Sequence, residues 1–421
     1  MANKRWWRSL GPGLVTGAAD DDPSGIGTYS IAGAQFGYGL LWLVPFCYPL
    51  MVVVQEMCGR IAAVCHQGLA AVIKAHYPRW LLWGTISILV IANTINVWAD
   101  LNIMAASMTM LSGLPWTMCL TLIAAVCVLL QVFVPYRIYV KYLKWLCLAL
   151  LAYVVTALLP SVHQDWGQIA RHLVRPHFSL ETAFIMTVVG FVGTTISPYL
   201  FFWQASETVE ERIAEGKSRP QSKAKNDAEI VIIRGDTAVG MLYSQIMVFF
   251  IIICTSATLH AKGVTHLDTA QQAAEALRPL GHGAFWLFSL GIVGTGLLAI
   301  PTLAGSAAYA VAEAAEWRHG LYRRFGRAQG FYLTIAAVTL IGYLLNFVKS
   351  VSPVQALLYS AVMNGVAAPP LIVVLLMICN NPKIVREHKN GWLSNVLGVI
   401  TVIVMSAAAT VLFWAIATRH I

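Results

Sequence analysis

The chain of 421 residues is 58% apolar and only 11% charged, with a mean hydropathy of +0.68, whereas soluble domains carry roughly 25% charged residues. So few charges cannot clothe a water-facing surface of this size, which excludes a soluble enzyme, a disordered chain and a nucleic-acid-binding domain. The net charge of +9 comes from 28 Lys and Arg against 19 Asp and Glu, and it follows from where the basic residues fall rather than from a nucleic-acid partner.

About 20 apolar residues of helix cross a hydrocarbon layer about 30 Å thick. On that ruler eleven spans are predicted, at residues 11–36, 40–64, 81–111, 116–134, 142–159, 182–203, 230–259, 285–312, 331–347, 354–379 and 393–417. Lipid leaves unpaired backbone groups without partners, so each span is expected as a helix. Lys4, Arg5 and Arg8 precede the first span; three acids and no small-residue cleavage site follow, so the start reads as a span and not a signal peptide. With the N-terminus in the cytoplasm, inside segments take all of the 28 Lys and Arg except Arg171, Arg175, Lys262, Arg278, Lys349 and Arg419. That bias is the positive-inside pattern. It predicts a multi-pass protein of the cell membrane with its C-terminus outside.

The first span contains Asp20-Asp21-Asp22-Pro23-Ser24-Gly25-Ile26-Gly27. A charge near mid-bilayer costs about 2.5–3.5 kcal/mol on insertion scales. Pro23 lacks an N–H and turns Asp22 away from helical geometry. Together these predict a helix interrupted near its middle, where freed carbonyls and a carboxylate converge as oxygen ligands for a cation. In the second span Glu56 is expected to pair with Arg60, one turn on. The third span carries Asp100 among Asn93, Asn96 and Asn102. The sixth holds a second break, Gly193-Thr194-Thr195-Ile196-Ser197-Pro198-Tyr199. The two breaks occupy matching positions if residues 11–160 and 181–379 form inverted five-helix repeats, with residues 392–419 as an extra helix. Interrupted helices so placed point to a substrate site at the membrane midplane.

Further along, Asp236 reads as structural, pairing with Arg234 or a Lys. Glu313 and Glu316 are expected in a solvated charge cluster beside Arg318, and Ser360 and Asn364 are polar residues of the tenth span. Trp6, Trp7, Trp80, Trp83, Trp116, Trp286, Trp317 and Trp392 fall at span ends as an interfacial belt. Eight cysteines form no CxxC pair or Cys/His cluster; Cys47, Cys58, Cys119, Cys127, Cys147 and Cys254 lie in apolar runs as small hydrophobes. No Walker A sequence is present, so neither nucleotide nor any resident cofactor is expected.

The chain resembles the Nramp family of divalent-metal transporters. The resemblance is carried by Gly11-Pro12-Gly13, by Asp22-Pro23, by Ala32-Gly33-Ala34-Gln35-Phe36-Gly37-Tyr38 followed by Leu40-Leu41-Trp42, by the Gly193–Pro198 segment, and by Asp236-Thr237-Ala238-Val239-Gly240. It implies an all-α polytopic protein with a LeuT-like fold of eleven transmembrane helices. It also implies Asp22 and the backbone carbonyl of Thr194 as ligands, with Asp20 and Asp21 in support.

The departures are informative. Gly25 stands where the family has a ligating Asn, Ser197 where it has a ligating Met, and Tyr199 where it has a His assigned to proton handling. Thioether favours softer ions, whereas carboxylate, hydroxyl, carbonyl and water suit Mg²⁺ and Mn²⁺. Loss of the Asn and Met side chains is expected to enlarge the cavity for an ion that keeps some of its water, a pattern similar to the Nramp-related magnesium transporters. The expected protein is therefore a secondary carrier moving hydrated Mg²⁺, and also Mn²⁺, into the cytoplasm by alternating access. Asp100 and Tyr199 mark a possible proton path. The competing readings are a proton-coupled Mn²⁺/Fe²⁺ importer of the ordinary family type, a cation channel, and a sodium-coupled amino-acid transporter.

Overall fold

Because lipid offers the backbone no partner, a chain this apolar must satisfy its own N–H and C=O groups along helices. The computed structural model describes residues 16–17, 19–134, 148–214, 216, 223–348 and 351–418, and helix is the regular structure among them. Lys4, Arg5, Trp6, Trp7, Arg8, Arg137, Lys141, Lys144, Cys147, Lys217, Arg219, Lys349 and Arg419 lie outside the described residues, as do Gly11-Pro12-Gly13 and the start of the fifth predicted span.

In chain order the main helices are α1 (Pro23–Phe36), α2 (Leu43–Cys65), α3 (Leu69–His76), α4 (Arg79–Ser112), α5 (Trp116–Phe133), α6 (Leu151–Leu158) and α7 (Trp166–Val174). They continue as α8 (Thr182–Thr195), α9 (Pro198–Ala214), α10 (Lys223–Thr258), α11 (Ala284–Ala314), α12 (Gln329–Leu345), α13 (Pro353–Asn380) and α14 (Trp392–Thr418). Eight stretches are long and apolar enough to cross a membrane: α2, α4, α5, α8 with α9, α10, α11, α13 and α14. Leu148–Leu158, which contains α6, and α12 are shorter apolar helices, and α1 is the 14-residue second half of the first predicted span. Each predicted span thus meets a helix, eight of them at crossing length.

α1 has no charged residue, is rich in Gly, Ser and Ala, and is buried from Pro23 to Ala34. It sits inside, against α8, α10 and α13, while α5 and α14 form the periphery, with only 28% of their apolar windows buried. Small residues permit such close packing where no hydrophobic effect drives helix association. One close backbone approach joins α8 to α13: a Cβ on Gly193 would lie 2.2 Å from the Ala361 carbonyl oxygen and 2.3 Å from the Gly365 nitrogen. Asn96 and Asn364 tie α4 to α13 by a reciprocal amide pair, at 2.9 and 3.1 Å.

Charged groups near the helix ends are paired. Glu56 bridges Arg60 at 3.3 Å, as its spacing predicts, and also Arg234 of α10 at 3.1 Å. Arg60 reaches on to the His388 carbonyl at 2.8 Å. The expectation for Glu313 is corrected. It is buried, and its carboxylate accepts the Ala71 N–H at 3.0 Å. It therefore caps the first turn of α3, whose start supplies no side chain of its own to do so. Glu316 is the exposed partner of Lys74, at 2.8 Å; that hydrogen bond holds its carboxyl below the ordinary range. Trp80, Trp83, Trp286, Trp317 and Trp392 are exposed, as a belt requires.

Candidate metal site

The first break forms as the residue types dictate. Residues 19–20 are helical, Asp21 is a bend, and Asp22 takes extended geometry (φ −72°, ψ 169°) before Pro23 opens α1. Asp22 is the N-cap: its Oδ1 accepts the Gly25 N–H at 2.7 Å and the Ser24 hydroxyl at 2.8 Å. The second break lies between α8 and α9, with Ile196 out of helical geometry (φ −118°, ψ 63°). Pro198 has no N–H to offer the preceding turn. The Ser197 hydroxyl takes that place, shared between the carbonyls of Thr194 at 2.7 Å and Gly193 at 3.0 Å.

The two breaks face each other. Tyr199, the second residue of α9, donates its phenol proton to the Ala19 carbonyl at 2.9 Å, with Asp22 Oδ2 a longer acceptor at 3.3 Å. Ser24 Oγ lies 3.4 Å from Thr194 Oγ1, and Tyr29 Oη lies 3.0 Å from Thr195 Oγ1. Asp22, Thr194, Ser197 and Tyr199 are all at most 1% exposed. Of the atoms drawn together here, carboxylate, hydroxyl and carbonyl oxygens are the donors. Among the described residues no three His, Cys, Asp or Glu side chains form a ready-made metal cage, so any ion here must draw on backbone, hydroxyl and water oxygens as well.

The other acidic residues have separate surroundings. Asp20 Oδ2 and Asp21 Oδ1 both meet the Ser244 hydroxyl of α10, at 2.7 and 3.2 Å. Asp100, on α4, is fully buried; neither carboxylate oxygen makes a hydrogen bond of ordinary geometry, and the groups acting on it are the Asp22 carboxylate and the Ser24 amide. Asn364 turns to Asn96, and Ser360 donates to the Leu357 carbonyl within its own helix.

Gly25 sits in crowded surroundings. A Cβ there would lie 3.2 Å from the Tyr29 ring and 3.3 Å from Thr194 Oγ1. A larger side chain there requires those two neighbours to shift. Ser244 and Tyr29 belong to the site's surroundings, yet neither was singled out from the sequence. The available signal for Ser244 was a hydroxyl inside the long apolar run of α10.

A family model described as natural resistance-associated macrophage protein-like matches residues 13–415. A divalent metal cation transporter, MntH, of Klebsiella pneumoniae subsp. pneumoniae is 24% identical over 94% of this chain and 92% of its own length. The solved manganese transporter of Eremococcus coleocola superposes with a TM-score of 0.77 at 19% identity, covering 97% of this chain and 87% of that one. MHP1, a nucleobase-cation-symport-1 family transporter, shares the broader LeuT-like architecture, with a TM-score of 0.59 at 13% identity over 97% of this chain and 92% of that one.

Proposed function

The chain belongs to the Nramp family, the natural resistance-associated macrophage protein-like transporters, and on that footing we propose that it carries hard divalent cations, Mn²⁺ and Mg²⁺, across the cell membrane. Asp22 is the leading ligand, joined by the Thr194 carbonyl and the Ser197 hydroxyl oxygen. The helix breaks at Pro23 and Pro198 supply backbone oxygens without unravelling the spans. One observation carries this reading: two interrupted helices meet at a buried carboxylate whose neighbours are hydroxyls and carbonyls. Such donors suit Mg²⁺ and Mn²⁺ rather than soft ions. The names of the relatives agree with the cation class, and that of the Eremococcus protein with Mn²⁺.

Asp22 is 1% exposed, which suits a carrier that encloses its ion better than a channel with an open, wetted pore. Alternating access then proceeds by one half of the molecule rocking on the other, with residues 11–160 and 181–379 as inverted repeats. The N-terminus lies in the cytoplasm, the C-terminus outside, and the ion moves inward.

Calorimetric titration of the purified protein with Mg²⁺, Mn²⁺ and Cd²⁺ tests the ion class. Binding of Mn²⁺ and Mg²⁺ with Cd²⁺ no tighter is expected; Cd²⁺ binding with no response to Mg²⁺ refutes the Mg²⁺ assignment. A proton-coupled Mn²⁺ importer is the competing reading, favoured by the unpaired Asp100 carboxylate. Against it, Tyr199 offers a phenol whose proton is committed to the Ala19 carbonyl. Acidification of proteoliposomes during Mn²⁺ entry would decide for coupling.

A further inference from the structure

We propose that Asp100 is a direct ligand of the transported divalent ion, facing Asp22 across the site. This rests on the transport reading above and goes beyond it, because the ligand set proposed there has a single carboxylate.

Asp100 lies inside the 34-residue helix α4 and is 0% exposed, and both of its carboxylate oxygens lack a hydrogen-bond partner. Its polar neighbours on the same helix are occupied elsewhere. Asn96 is paired with Asn364, and Asn93 donates to the Leu303 carbonyl and the Ser306 hydroxyl, both at 2.8 Å. The groups that act on Asp100 are the Asp22 carboxylate and the Ser24 amide, with Tyr199 and Cys127 also within its field. Among the described residues it has no ion pair with Lys or Arg.

A desolvated acid with so few donors around it is costly to hold ionised. An ion in the working state removes that cost. The available lone pairs agree. Asp22 Oδ1 already accepts two hydrogen bonds and its Oδ2 a long third, whereas Asp100 has only the Ser24 amide acting on its oxygens and no hydrogen bond of ordinary geometry. Two carboxylates on either side of one ion also match the charge of a dication. The second carboxylate adds a charged oxygen at a site where Gly25 brings no side-chain ligand and Ser197 only a neutral hydroxyl. Ligand charge count is the main control on affinity at oxygen sites for hard ions.

The test is Mn²⁺ titration by calorimetry of the full-length protein and its Asp100→Asn and Asp100→Ser variants, with thermal unfolding recorded with and without Mn²⁺. Both variants are expected to weaken Mn²⁺ binding by about tenfold or more. Without metal their midpoints equal or exceed the parent's, because a desolvated acid gives way to a neutral side chain, and the Mn²⁺-induced rise is lost. A proton relay predicts the opposite: equilibrium Mn²⁺ affinity at fixed pH within about twofold of the parent. That result overturns the assignment of Asp100 alone. If the parent protein itself binds neither Mn²⁺ nor Mg²⁺, the transport reading falls as well.

Discussion

Ser197 has a structural role at the second break, and the proposed site gives it a part in selectivity as well. Its hydroxyl proton is spent on the Thr194 and Gly193 carbonyls, so its lone pairs are what remain for an ion. Ser197→Met would replace that oxygen with a thioether and release the two carbonyls. Cd²⁺ affinity is expected to rise relative to Mg²⁺ by about tenfold in calorimetric competition, following the softness of the ligand. Stability should fall by about 1 kcal/mol for the lost hydrogen bond. An unchanged ion ranking would mean that Ser197 does not face the ion. Gly25 is a tighter position for substitution, because a Cβ there would press on Tyr29 and Thr194 at 3.2 and 3.3 Å.

For single helices, the interruptions could be read directly from residue types. Pro23 after three acids, and Pro198 after Ser197, leave the backbone few alternatives, and the breaks fall at Asp21–Asp22 and Ile196–Ser197. What the helices touch was less accessible, because contact partners depend on packing between segments far apart in the chain. Ser244 gathers Asp20 and Asp21 from 224 and 223 residues away. The Asn96–Asn364 pair spans 268 residues. Glu313 was misread for the same reason: beside Glu316 and Arg318 it looks solvent-facing, yet α3 folds over it and uses its carboxylate as a cap. The α8–α13 contact yields a sharp expectation. Gly193→Val would drive a side chain into the Ala361 and Gly365 backbones, within 2.3 Å. Overpacking of this kind costs about 1–3 kcal/mol or more, so the variant should melt well below the parent in detergent. Equal melting would show that the two helices are not in backbone contact.

Over the whole molecule, composition establishes a lipid-covered protein, and the placement of small residues puts α1 at the centre with apolar α5 and α14 outside. The positive-inside bias is the basis of the orientation proposed above, and the two breaks meet where Asp22 is enclosed, 1% exposed. All of this converges on one carboxylate. The most direct measurement is Mn²⁺ uptake into proteoliposomes holding either the parent protein or Asp22→Ala, with melting curves recorded to confirm that both are folded. Saturable uptake by the parent, and a rate for Asp22→Ala no greater than that of protein-free vesicles, is the expected result. Uptake by folded Asp22→Ala at the parent's rate would contradict it.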